Sequence, residues 1–168
     1  PTRKRDRKSL PSALRPQLFR IAGVDLTAID GIDDATALTL LSEVGTDMSR
    51  WPTAKHFASW LCLCPAHAIS GGKVLKRHSR PTASRAATAF RLAAMGLHRS
   101  QSHLGAFFRR KKAQLGTAEA VTATAHKLAR IFYAVLSSKT SYADLGASFF
   151  EQGFRERAIA ASPRRAHA

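Results

Sequence analysis

Apolar positions first recur at Leu14, Leu18, Phe19 and Ile21, the spacing of a short helix. The next stretch, GVDLTAIDGIDDATALTLLSEVG, sets Asp33 or Asp34 as a cap before an apolar face of Ala37, Leu38, Leu40, Leu41 and Val44. Gly45 ends that face. Trp51-Pro52 leads into a helix over 53–63, with Thr53 as its cap. Pro65 breaks the pattern, and 66–81 reads as a loop or hairpin turning at Gly71-Gly72. Periodic apolar segments then cover 82–98 and 101–115, the second ending at Gly116. The most regular pattern spans 117–138, where Ala120, Val121, Ala125, Leu128, Ile131, Phe132, Val135 and Leu136 keep the 3.6-residue period. Its start is weakly signalled, because the capping-box Glu would sit one residue after Glu119. Residues 142–160 offer one more helix. Strand signals are nearly absent. The predicted class is therefore all-α: a helix-hairpin-helix-like unit over about 26–63, a glycine-rich loop, and a bundle of longer helices. The predicted layout is a basic linker over 1–18 that follows a preceding N-terminal part, a main domain over 19–138, a C-terminal helix over 139–160 and a disordered tail over 161–168.

Charge changes the picture next. The 168 residues carry 27 Lys and Arg against 11 Asp and Glu, a formal net charge of +16. Hydrophobic residues make up 45%, enough for a real core, so this is no disordered basic tail. A polyanion, DNA or RNA, is the expected partner. A membrane surface would call for a basic amphipathic helix or a lipid anchor. No run of about 18 apolar residues is present to span a bilayer, and no secretory signal is visible. The expected location is the bacterial cytoplasm, at the nucleoid. The distribution of charge says more than its sum. Between Met48 and Ala118 there is no acid, while thirteen cations run from Arg50 to Lys112. Self-repulsion over so long a stretch is costly without an anionic partner.

Several residues carry candidate chemistry. Ser70-Gly71-Gly72 stands before Lys73, Lys76, Arg77 and Arg80. A serine becomes a nucleophile only when a base, a positive field or a metal stabilises its alkoxide. The glycines let a backbone approach closely, and the cations could hold a phosphodiester and offset the charge that grows in its transition state. The plain alternative is a turn on a solvated basic arm. His67 and His78 flank the serine as possible bases, whereas His126 sits inside a regular helix and reads as structural. Arg85 and the run Arg109, Arg110, Lys111 and Lys112 are further phosphate contacts, and Phe107-Phe108 beside them reads as core. Cys62 and Cys64 form a lone C-x-C that lacks a fourth zinc ligand nearby and reads as two small packed residues. Asp25, Asp30, Asp33 and Asp34 read as caps and turn residues rather than as a metal set. The aspartate at 33 also stands where a helix-hairpin-helix usually offers a glycine to a phosphate.

Taken in order, GVDLTAIDGIDDATALTLLSEVGTDMSRWPTAKHFASWLCLCP, ISGGK, RPTASRAATAFRLAAMGL and LGAFFRRKKAQLGTAEAVTATAHKLARIFYAVL resemble the insertion-sequence-110 transposases, the bridge-RNA-guided recombinases, over about 19–136. The resemblance implies that 19–138 is a C-terminal transposase domain whose relatives join it to an N-terminal RuvC-like domain with a DEDD carboxylate set. It places the family's nucleophilic serine at Ser70, attacking a DNA phosphodiester to form a phosphoserine link that strand exchange resolves. It also implies DNA and a guide RNA as partners, a homo-oligomer, and no cofactor held by this chain. Mg²⁺ is expected from the missing N-terminal domain, since no carboxylate lies near Ser70 in the sequence. The isolated chain is therefore expected to be inactive. Three positions depart from the family: Asp33 for a hairpin glycine, Cys62 for a glycine, and Ser84 for an asparagine. The rival readings are a non-catalytic helix-hairpin-helix nucleic-acid-binding module and a protein-interaction domain whose charge only aids solubility.

Overall fold

The computed structural model describes residues 14–64, 66–70, 73–78 and 84–165, with side chains over 14–64 and 84–157. The fold is all-α with one hairpin. Its elements are α1 (Leu14–Ala22), a 3-10 turn (Leu26–Ala28), α2 (Asp34–Val44), α3 (Ala54–Trp60), β1 (Ala66–Ser70), β2 (Lys73–His78), α4 (Arg85–Gly96), a second 3-10 turn (Leu97–Arg99), α5 (His103–Leu115), α6 (Thr117–Ser138) and α7 (Gly146–Arg165). Most of the helix starts are capped by short polar side chains. Asp33 accepts from Thr36 N at 2.9 Å, and Thr53 and Ser102 do the same for α3 and α5. Ser84 caps α4 by accepting from Ala87 N at 3.3 Å. Serine and asparagine are both strong N-cap residues, so either would serve there.

Helix α6 is the spine, packed against α3, α4 and α5. Phe57 of α3, Phe90 of α4 and Phe132 of α6 are fully buried and meet ring to ring, with the Phe90 and Phe132 centroids 5.5 Å apart and edge-to-face. Small residues allow the helices this close: Ala86, Ala87, Ala93 and Ala94 on α4, and Ala125 and Ala129 on α6, are all buried. Tyr133 completes the layer by donating its hydroxyl to the carbonyl of Trp51 at 2.7 Å. Two glycines are forced by close approach. A Cβ at Gly105 would collide with the carbonyl of Ser100, so α5 can fold back on the turn before it only with glycine there. Gly31 has φ +89°, and a Cβ would press on the Ala93 carbonyl at 3.1 Å and on Leu97.

The structure departs from the sequence pattern at two places. Helix α3 ends at Trp60, short of residue 63, because Cys62 takes φ +54°. That left-handed backbone is one that glycine adopts at no steric cost. Helix α7 begins at Gly146 instead of 142, since 141–145 form a connector fixed by Asp144, and it continues through Arg165 into the stretch expected to be a tail. Of the two readings of 66–81, the hairpin is the one found: residues 66–70 and 73–78 pair antiparallel, so the bundle carries one small β element. Residues 1–13, within the expected linker, and 166–168 lie outside the described residues.

Candidate functional site

The hairpin is placed by its two flanks. Upstream, Leu61 and Leu63 are fully buried and anchor the end of α3; downstream, Ser84 starts α4 against the core. Between them β1 and β2 pair in the register Ala66↔His78, His67↔Arg77, Ala68↔Lys76, Ile69↔Val74 and Ser70↔Lys73. Ser70 is thus the last residue of β1, and its pairing with Lys73 leaves Gly71-Gly72 as the two-residue connection. Hairpins with such short connections favour glycine because both central residues need unusual backbone angles. A register shift between Ala68 and Ile69 sets two residues of β2 against one peptide step of β1, and such a bulge raises local twist. Lys73, Lys76 and Arg77 all belong to β2, and the side chains of the hairpin residues lie outside the described set, as do Gly71, Gly72 and Arg80.

The remaining predicted cations fall into two groups. Arg85, exposed at the start of α4, pairs with Glu43 of α2 at 3.3 Å, an open ion pair worth about 0–1 kcal/mol. The α5 run is more varied. Arg109 is half-buried and donates to the carbonyl of Ser100, closing the turn before its own helix. The Arg110 guanidinium carbon sits over the ring of Phe154 on α7. Lys111 donates to Gln114 at 3.2 Å, and Lys112 is exposed in the last turn. Phe108 is buried and Phe107 half-buried, so both belong to packing as expected.

Sequence reasoning missed the polar junction of α5, α6 and α7. Asp144 accepts from the backbone N–H of His103 at 3.0 Å and from that of Gly146 at 3.0 Å, so one carboxylate serves the first turns of both α5 and α7. Lys127 donates to His103 Nε2 at 2.9 Å and sits 4.5 Å from the centroid of the Phe107 ring. Burial, then the neighbouring Lys127, pushes His103 below its ordinary value, which keeps its ring neutral and able to accept. Burial, with Arg157 nearby, likewise lowers Lys127. Asp30 stands on the other side. Burial raises its carboxyl, and the charge of Asp144 adds to that. The usable signal in the sequence was Phe150, Phe154 and Arg157 at helical spacing, opposite Phe107 and Arg110.

At the hairpin-helix end, Asp33 takes up an N–H of the first turn of α2, and Gly31 turns its backbone onto α4. Partial burial opposes ionisation of Asp25, but hydrogen bonds from Arg15 at 2.6 Å and from Thr27 outweigh it and hold the carboxyl below its usual range. No group of three or more His, Cys, Asp or Glu among the described residues could hold a metal ion. Cys62 and Cys64 are free thiols, and burial pushes the Cys64 thiol up. No helix among the described residues is long and apolar enough to cross a membrane.

The family model described as Transposase IS116/IS110/IS902 family matches residues 23–109, from the hairpin-helix unit through the β-hairpin and into the basic run of α5. No curated protein matches the chain. The match covers more than half of the 168 residues and encloses the hairpin that carries Ser70; the chain belongs to the IS116/IS110/IS902 transposase family and is a transposase domain, with DNA as its partner.

Proposed function

We propose that this domain supplies a serine nucleophile for DNA strand cleavage and exchange, and that the nucleophile is Ser70. The observation that carries the reading is the position of Ser70 at the end of β1, paired with Lys73 across a diglycine connection, inside the family-matched segment. Segments that connect strands are where binding and catalytic residues concentrate, because a ligand can reach them there. In the proposed step the Ser70 Oγ–P bond forms as one P–O bond of the DNA strand breaks. The serine proton leaves to a base, and a proton returns to the departing DNA oxygen. Lys73, Lys76, Arg77 and Arg80 hold the phosphate and offset charge on its non-bridging oxygens. Exchange reverses the step with a new strand end.

The described residues do not fit a divalent metal, so no step is routed through one here. The proposal assigns Mg²⁺ to carboxylates of a separate RuvC-like domain, and a guide RNA and a second copy of the chain to the working assembly. The test is Ser70→Ala in the full-length recombinase. Strand exchange and the covalent protein–DNA adduct should both vanish while DNA binding stays within about twofold, since a lost hydroxyl removes chemistry without removing phosphate contacts. Persistence of the adduct in that variant would favour a non-catalytic helix-hairpin-helix module at this position.

A further inference from the structure

We infer that the groove between α5 and α7 binds a single nucleic-acid strand through its phosphates, on elements other than the serine hairpin. The inference takes its class of ligand from the transposase reading but does not depend on Ser70. The groove encloses about 670 Å³ and is floored by Ala106 and Ala113, whose small side chains keep it open. Arg109, Arg110 and Arg155 line it against a single lining acid, Glu151. Helix α5 itself contains no Asp or Glu.

The arginines are already set in place. Arg109 spends one donor on the Ser100 carbonyl, and a guanidinium has five. The Arg110 guanidinium sits over the Phe154 ring, a contact that restrains the side chain at the groove. Arg155 is exposed on the facing helix. Three guanidiniums facing one carboxylate repel one another until an anion arrives, and pre-ordered donors lose little freedom when it does. The shape decides between strands. A recess between two packed helices admits one phosphodiester chain, with the Phe154 and Phe150 rings as apolar wall. A duplex carries its phosphates on a convex surface and would reach only the rim.

The experiment places a photo-crosslinking residue at Gln114 of this chain and offers labelled oligothymidylate, oligouridylate and duplex DNA in turn, with polyglutamate as an acidic competitor. Capture of either single strand supports the inference, and the better of the two identifies the natural source as DNA or RNA. Arg155→Glu should weaken single-strand binding about tenfold and leave the melting temperature unchanged; Arg110→Gln gives a second, milder variant that keeps the charge of α7 intact. Preferential capture of the duplex, polyglutamate that displaces the strand in wild type and Arg155→Glu alike, or single-strand binding unchanged in both variants would each overturn it. Ser70→Ala should leave capture unaltered, so a failed serine reading and a failed groove reading are told apart.

Discussion

At the scale of single residues, one buried and one half-buried group set expectations opposite to the usual cost of mutation. Thr124 is fully buried on α6 and its Oγ1 has no hydrogen-bond partner. An unsatisfied buried hydroxyl costs about 1–3 kcal/mol, and valine keeps the shape without it. Thr124→Val should therefore stabilise the chain by about 1 kcal/mol, read as a higher midpoint in urea with unchanged slope. At Asp30 it is the charge that is disfavoured, although a hydrogen bond with Ser102 offsets part of the effect. Its carboxyl is raised by burial and by Asp144, so the folded state binds its proton more tightly than the unfolded chain does. Stability from this group then falls as pH rises from the ordinary carboxylate value to the raised one, and the penalty is complete above it. Asp30→Asn should raise the melting temperature at pH 7, and the gain should shrink as the pH is lowered through that window. A gain that is independent of pH would mean the charge is not the cause. Cys62 shows a third kind of residue effect, for its φ of +54° lets the chain leave α3, in a backbone region that favours glycine.

At the scale of elements, α7 depends on one connector. Asp144 accepts from the first N–H of α5 and from the start of α7, and Ala147 N donates to the Gln101 carbonyl at 3.1 Å. Phe150 then packs edge-on to His103 and Phe107. Asp144→Ala removes the acceptor for two helix starts and should cost about 1–2 kcal/mol, the range of a lost helix cap. Native-state hydrogen exchange should show the loss first in the amides of α7, while those of α6 keep their protection. Equal loss across all helices would mean that α7 is not a separately opening unit. The opposite balance holds for α6, whose long regular apolar face is buried against three neighbours, so its helix follows from its own periodicity.

At the scale of the whole molecule, a net charge of +16 is divided between a hairpin that carries cations on β2 and a bundle that takes some of its arginines into its own packing. Arg109 and Arg110 look alike in sequence, yet one closes a turn and the other is stacked on a ring from α7. Much of the architecture was legible from local pattern. Capping by Asp33 and Thr53, the break at Gly45, the face of α6 and the all-α class all rest on interactions within a few residues of one another, which the order of side chains alone determines. That 66–78 could pair back on itself was legible for the same reason. Contacts across long separations were not: Asp144 to His103, Lys127 to His103, Gly31 to Ala93 and Arg110 to Phe154 join residues whose meeting depends on how helices cross. The chain's periodicity settled which helices form and which stretch turns, because those choices are made by neighbours along the backbone. Only the tertiary structure decided which cations are spent on packing and which face a groove, because the field at a charged group is summed over everything that folding brings near it.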